Sequence, residues 1–440
     1  MKPQFLISSI GPGNGKTIFA MGLIHALRKR GLKVQPYKCG PEITDTQLLS
    51  LSADNEAINL DEWVTTYTHI QHTYNKYGEK ADACVIEGNG ALFDGYKRMQ
   101  GSSAEIAKLL NVPVVLLVNA RMAGYSIASI IYGFKHFHPQ VKIVGVVFNQ
   151  ITSSAHYSYL KEACFDAGVD CLGYLPYNAE FKLPSKHSSI TLTTKRSMDT
   201  QINLIADDIE KNVNINRLLA NCNRNFPCQY TLPYSSDIET EVAIPTSQRI
   251  KIAIARDPAF NFIYKENIAR LSLYGNISYF SPVYGSDLPE ADLIYLPGGY
   301  PELFARQLHR RHKLMNALKE YAEKGGKILA ECGGMAFLGR SITAKEGGTA
   351  YQMCNILPLD FTISSKLNSG YRKMTYNGVE LKGYEFHYST TNAIDNSLIA
   401  TQATNIKGIN VELPIYRYKN IIASYGHWYW GDKDILDLWK

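Results

Sequence analysis

Along the first half of the chain, apolar residues fall in short continuous runs set between stretches of helical period. Phe5–Ile10, Val34–Tyr37, Ala83–Glu87, Val112–Asn119 and Ile143–Asn149 are such runs, and Lys16–Arg30 carries the helical pattern, ending at Gly31. Strands apolar on both faces and separated by helices predict a parallel sheet covered on both sides. The pattern loosens from Ile190 to Gln248. A helical piece near Met198–Leu219 precedes Cys228–Gln248, whose Pro, Ser, Thr and Tyr content reads as a linker. Alternation resumes at Ile250–Ala255 and Asp292–Leu296. The expectation is a first α/β domain over 1–190, a helical segment and linker over 191–248, and a second α/β domain over 249–440.

Composition narrows the class. At 440 residues the chain exceeds one ordinary core. With 45% hydrophobic and 20% charged residues it reads as a globular protein. The net charge of +6 is spread along the chain without dense basic runs, which argues against a nucleic-acid partner and suits an anionic small substrate. The longest apolar stretches, such as Val112–Val118, are far short of a membrane span. One lysine and a short apolar run before Gly11 do not read as a signal peptide. The 8 cysteines show neither a C-x-x-C pair nor metal-ligand spacing, the pattern of reduced thiols in the cytoplasm.

Gly11-Pro12-Gly13-Asn14-Gly15-Lys16-Thr17 lies between a predicted strand and a predicted helix. In that context backbone N–H groups of Gly13, Asn14 and Gly15 cradle phosphates, Lys16 reaches the outer ones, and the Thr17 hydroxyl ligates Mg²⁺. Ile10 stands where a strict phosphate loop has its first glycine. Mg²⁺ takes few protein carboxylates beside waters and phosphate oxygens, so Thr17, Asp45 and Glu87 suffice as its ligands. Asp94, in Phe93-Asp94-Gly95, reads equally as a turn residue. Asn149, ending a strand, is either a contact to an adenine edge or a strand-terminal cap.

In the second half, Lys327–Ala330 ends abruptly in Glu331-Cys332-Gly333-Gly334. A strand entering a glycine turn holds a thiol at a helix N-terminus, where the dipole and free N–H groups favour thiolate. Cys332 is therefore the candidate nucleophile. Upstream, Pro297-Gly298-Gly299-Tyr300-Pro301-Glu302 follows another buried strand, and N–H groups of Gly299 and Gly333 would form an oxyanion hole. His387 and His427 are the candidate bases, and residue chemistry alone leaves both open. His309 and His312 sit in a charged helical stretch and read as solvated.

Several longer strings fall into a pattern. They are Val34-Gln35-Pro36-Tyr37-Lys38 with Gly40-Pro41, Asn59-Leu60-Asp61, Glu87-Gly88 through Phe93-Asp94-Gly95, and Ala255-Arg256-Asp257-Pro258-Ala259-Phe260-Asn261-Phe262. They continue in Gly298–Glu302, Ala330–Gly334 and Glu385-Phe386-His387-Tyr388-Ser389. Over nearly its whole length the chain resembles the cobyrinic acid a,c-diamide synthases, glutamine-dependent amidases of corrin biosynthesis. The resemblance implies an α/β fold: an N-terminal P-loop, parallel-sheet synthetase domain like dethiobiotin synthetase, and a C-terminal class I-type glutamine amidotransferase domain. It further implies that the cysteine hydrolyses L-glutamine through a thioester. Ammonia would then meet a carboxylate that ATP has converted to an acyl phosphate, with the a and c carboxylates amidated in turn. It points to His427 as the activating base, to Thr17, Asp45 and Glu87 at magnesium, and to Lys16 and Lys38 at phosphates. The implied partner is a tetrapyrrole-derived polycarboxylate, with hydrogenobyrinic acid or nickel-sirohydrochlorin as rival acceptors and a homodimer left open. A partition-type nucleotide switch is the reading from a different class.

The chain departs from the family pattern in its phosphate loop and in Gly40-Pro41-Glu42-Ile43-Thr44-Asp45. It departs again in Pro184–Ile190 and at Tyr429, where the family's second histidine usually stands. Most of these changes fall where the macrocycle would sit.

Overall fold

The computed structural model describes residues 1–121, 123–181, 192–229, 249–285, 287–393 and 396–440. From residue 230 onward the expected linker, like the Pro184–Ile190 string, lies outside the described residues. Two compact units are present, one of 1–181 with 192–229 and one of 249–440.

The first unit is built on β1 (Lys2–Ser9), β2 (Val34–Cys39), β3 (Ile58–Leu60), β4 (Ala83–Glu87), β5 (Val114–Asn119), β6 (Ile143–Ile151) and β7 (Cys171–Pro176). They lie in the order β3-β2-β4-β1-β5-β6-β7, all parallel, as the two-sided apolar runs predict. The short β8 (Asn223–Arg224) adds antiparallel to β1. Parallel register brings strand ends to one edge: Glu87 pairs with Ile7 on one side and with Lys38 on the other. The loop after β1 leaves from that edge, the usual ligand edge of an open α/β sheet. The segment read as a separate helical piece contributes its helix Leu192–Asn212 to this unit. Its Asp207 and Glu210 pair with Lys29, at the end of the helix Lys16–Lys29, and with Arg30, which caps it, each at 2.6 Å.

The second unit carries twelve strands among the described residues. Its parallel part orders β10 (Gly275–Phe280), β9 (Ile250–Ala255), β11 (Leu293–Leu296) and β12 (Lys327–Glu331), then the strand Ile421–Ser424. Beyond it the sheet is mostly antiparallel and includes a long hairpin, Leu359–Tyr376 with Val379–Ala393; Ser341–Thr343 pairs in parallel with its first strand. That hairpin does not show in the apolar pattern. Strand Leu359–Tyr376 is mostly half-buried and rich in Ser, Lys, Asn and Arg, so no apolar run marks it. No helix of the described residues is long and apolar enough to cross a membrane.

Candidate active sites

The loop after β1 takes left-handed backbone at Gly13 (φ 72°) and Gly15 (φ 89°), which glycine adopts without strain. A β-carbon on Gly15 would lie 2.3 Å from Asn149 Nδ2, so the glycine is required twice over. Asn149 Nδ2 donates to the Asn14 carbonyl at 2.8 Å, and Asn14 Oδ1 accepts from the Asn119 amide at 3.1 Å. Asn149 thus buttresses the loop, with one amide hydrogen committed to it.

Lys16, on the first helical turn, donates to Ser9 Oγ at 3.0 Å and to the Gly90 carbonyl at 2.5 Å. Burial, and then the neighbouring Lys38 charge, pull its ammonium below the usual lysine range. Thr17 Oγ1 donates to Glu87 Oε1 at 2.6 Å. Lys38 is 2% exposed and lies 2.8 Å from Asp45 Oδ2, 3.1 Å from Glu87 Oε1 and 3.8 Å from Glu42 Oε2. Burial alone would lower the Lys38 pKa, but Asp45, Glu87 and Glu42 outweigh it and hold the ammonium above its ordinary value. Burial pushes the Glu87 carboxyl up, with Lys38 opposing.

The residues present fit a magnesium ion. Glu87 Oε2 is buried without a hydrogen-bond partner, the Thr17 hydroxyl adjoins the same carboxylate, and Asp45 stands across Lys38. This oxygen-only set suits a hard cation that draws its other ligands from phosphate and water. Among the described residues no group of three or more His, Cys, Asp or Glu is placed to hold a metal ion by itself.

In the second unit Cys332 sits between β12 and the helix Gly333–Leu338 at φ 44°, ψ −104°, a strained conformation for a residue with a side chain. Its amide donates to the Ser424 carbonyl at 2.7 Å, which fixes the turn. The thiol's acidity corrects the sequence expectation. Burial, first, and then the Glu302 carboxylate push the Cys332 pKa up; the Gly333 N–H opposes them, and Glu331 and Glu385 add smaller rises. The thiol therefore rests protonated.

Gly299 and Gly333 lie side by side, with the Gly299 carbonyl oxygen 2.9 Å from where a β-carbon on Gly333 would stand. A β-carbon on Gly333 would lie 3.2 Å from the Gly299 nitrogen and 2.7 Å from Pro301 Cδ. Both glycines line a narrow cavity with Cys332, Glu302, Phe386 and His387. His427 lies on the strand Gly426–Tyr429, 2% exposed, against Gly298 and the Phe262 ring. Neither of its ring nitrogens has a hydrogen-bond partner. Burial, then the charge of His387, lower its pKa to about 4, so its ring is uncharged over the physiological range. The Cys332 thiol donates to the Phe386 carbonyl at 3.9 Å, and the same carbonyl supports basicity at His427. His387 differs, because both its nitrogens are occupied, by Ser389 O at 2.7 Å and Glu385 Oε1 at 2.8 Å.

Sequence reasoning passed over Glu331. It is 1% exposed and accepts from Trp428 N at 3.0 Å and from Tyr295 Oη at 2.8 Å, tying β12 to the strand of His427 and to β11. Burial pushes its pKa up to about 8. An acid directly before the elbow cysteine, at the end of a buried strand, was the available signal.

Two family models match the chain. The CobQ/CobB/MinD/ParA nucleotide binding domain covers residues 5–190, and the CobB/CobQ-like glutamine amidotransferase domain covers residues 251–435. Fold, sites and matches define the class: a nucleotide-binding domain joined in one chain to a glutamine amidotransferase domain, a glutamine-hydrolysing ligase. Full-length relatives narrow it. The chain is 35% identical to a cobyrinate a,c-diamide synthase of Dehalococcoides mccartyi, over 98% of this chain and 95% of that one. It is 33% identical to that of Listeria monocytogenes (96% and 95% covered) and 30% identical to that of Saccharolobus solfataricus (96% and 97%). The chain belongs to the cobyrinate a,c-diamide synthase family.

Proposed function

We propose that this protein uses ATP and L-glutamine to convert the a and c carboxylates of cobyrinic acid to amides in vitamin B12 biosynthesis. The carrying observation is the end-to-end match to synthases of that name in a chain that keeps both a phosphate loop and a cysteine elbow.

In the second unit His427, uncharged and with free ring nitrogens, takes the Cys332 Sγ proton as the sulfur attacks the glutamine side-chain carbonyl. The N–H groups of Gly299 and Gly333 receive the charge that develops on that oxygen. Such a donor is commonly worth about 10²–10³ in rate. Collapse expels ammonia, which takes the proton held by His427 and leaves a Cys332 thioester. Water then hydrolyses the thioester to glutamate and restores the thiol.

In the first unit the loop amides and Lys16 hold the triphosphate, and Lys38 stands ready to offset charge on the transferring phosphoryl group. Thr17, Glu87 and Asp45 would hold Mg²⁺, which when bound supplies charge neutralisation on the phosphate oxygens. A carboxylate oxygen of the acceptor attacks the γ-phosphorus, ADP departs, and the resulting acyl phosphate yields amide and phosphate when ammonia attacks its carbonyl. Asn149 contributes at the nucleotide by fixing the loop. The enzyme acts in the cytoplasm without nucleic-acid or membrane partners; light scattering tests whether it forms a homodimer.

The assay supplies cobyrinic acid, hydrogenobyrinic acid or nickel-sirohydrochlorin with Mg-ATP and glutamine and follows amidation by mass spectrometry. Two amides on cobyrinic acid support the proposal. Glutamine turnover with no amide on cobyrinic acid refutes the acceptor assignment.

A further inference from the structure

The chain between β4 and the helix Ser103–Leu110 leaves the phosphate site as a closed loop. At its start the Gly90 carbonyl accepts from Lys16 Nζ, and the Leu92 amide donates to the Ser9 carbonyl at 2.9 Å. At its end Ser103 Oγ accepts from the Asn89 amide at 2.8 Å and donates to the Asn89 carbonyl at 3.0 Å, which clasps the two ends together. Compact loops closed in this way are frequently functional. Phe93 anchors the outgoing arm, its ring centroid 4.9 Å from that of Phe137 and 5.5 Å from that of Phe134.

The tip is a tight turn in which Lys97 and Gln100 pair. The Gln100 amide donates to the Lys97 carbonyl at 3.1 Å and the Gly95 amide to the Arg98 carbonyl at 2.7 Å. Arg98 takes φ 55°, left-handed backbone that glycine adopts more readily. An arginine there is a strained choice for a turn, and strain of this kind collects at functional positions. The side chains of Lys97 and Arg98 are exposed, and neither has an ion-pair or hydrogen-bond partner among the described residues.

Tyr96, 38% exposed, stands beside them. Its ring packs edge-on against Trp63, with centroids 5.7 Å apart, and a β-carbon on Gly101 would lie 2.4 Å from it. The ring is therefore fixed from behind and offers its remaining surface next to two cations. Two neighbouring acids are already engaged: Glu62 accepts from the Gly101 amide, and Glu105 lies 3.0 Å from Lys108 Nζ. Asp94 is the exposed acid of the loop. A fixed aromatic surface with cations at its side suits a broad apolar ring system that carries carboxylates on its rim.

We propose that this loop binds the acceptor: Arg98 and Lys97 pair with rim carboxylates that are not being activated, and Tyr96 packs on the macrocycle, so that the reacting carboxylate faces the γ-phosphate. The inference rests on the reading of the acceptor as a tetrapyrrole-derived polycarboxylate. It also gives the strained arginine a reason, since glycine would serve the turn better.

The test titrates the full chain with cobyrinic acid, followed by its absorbance, and then measures steady-state amidation with Mg-ATP and glutamine. Arg98→Gly and Lys97→Ala should each weaken cobyrinic acid binding about tenfold and raise its KM to match, with kcat altered less than about threefold. Affinity for magnesium ATP, read by calorimetry, stays at the wild-type value. With both substitutions in one chain, cobyrinic acid affinity becomes less sensitive to added salt. Glycine fits the backbone at residue 98, so a role confined to the turn predicts that Arg98→Gly binds cobyrinic acid as the wild type does. Folded variants with wild-type cobyrinic acid affinity, or with an equal loss of affinity for magnesium ATP, overturn the proposal. A wild-type enzyme that amidates none of the three macrocycles overturns instead the acceptor reading on which it rests.

Discussion

Gly298 and His427 lie so close that a β-carbon on the glycine would sit 2.1 Å from His427 Cε1 and 2.6 Å from its Nδ1. The imidazole cannot retreat easily, because it is buried and backed by Phe262. Gly298→Ala should therefore displace the base. A displacement of an ångström or so costs about 10²-fold in rate. Glutamine-driven amidation falls by that order in steady-state assays, while ammonia-driven amidation is unchanged.

Gly15 repeats this relationship in the first unit. At φ 89° and with Asn149 Nδ2 in the way, alanine there is both strained and crowded. Gly15→Ala should weaken ATP binding at least about tenfold by calorimetry, since the loop amides lose their common aim. Glutaminase activity, which belongs to the other unit, should survive.

Lys38 is the cation at the centre of three acids, and both it and Glu87 are almost fully buried. Removing one partner of such a group leaves uncompensated charge, which costs about 3–5 kcal/mol. Lys38→Met should lower the unfolding midpoint of the nucleotide-binding unit accordingly in chemical denaturation. Binding of magnesium nucleotide should weaken in the same variant.

His427 sets a pH signature. Its pKa falls from 6.5 to about 4 on folding, so between those values the unfolded chain binds the extra proton. Its contribution to stability is complete above about pH 6.5 and is lost as pH falls toward 4. Removing the ring removes that loss. Melting curves of His427→Gln should gain on the wild type as pH is lowered through this window, and the two should run parallel above it.

Much of this was legible in the chain, for physical reasons. Gly15-Lys16-Thr17 and Glu87 were readable because parallel strands deliver their carboxyl ends to one edge, and the apolar runs fixed where those ends fall. Cys332 was readable from the strand it terminates. The direction of its acidity was not, because Glu302 and Glu385 are far from it in sequence and act only once folded. The choice between His387 and His427 was closed to residue chemistry for the same reason: it turns on which ring finds acceptors. The hairpin that carries His387 escaped because half-buried strands of mixed polarity leave no strong period.

The central claim is that one chain makes ammonia at Cys332 and spends it on a carboxylate activated by ATP. The direct measurement is mass spectrometry of cobyrinic acid incubated with Mg-ATP and either glutamine or ammonium, using wild type and Cys332→Ala. The account predicts two amides from either nitrogen source with wild type, and amides from ammonium alone with the variant. A partition-type nucleotide switch predicts no amide from any combination. Undiminished amidation from glutamine by Cys332→Ala would contradict the account.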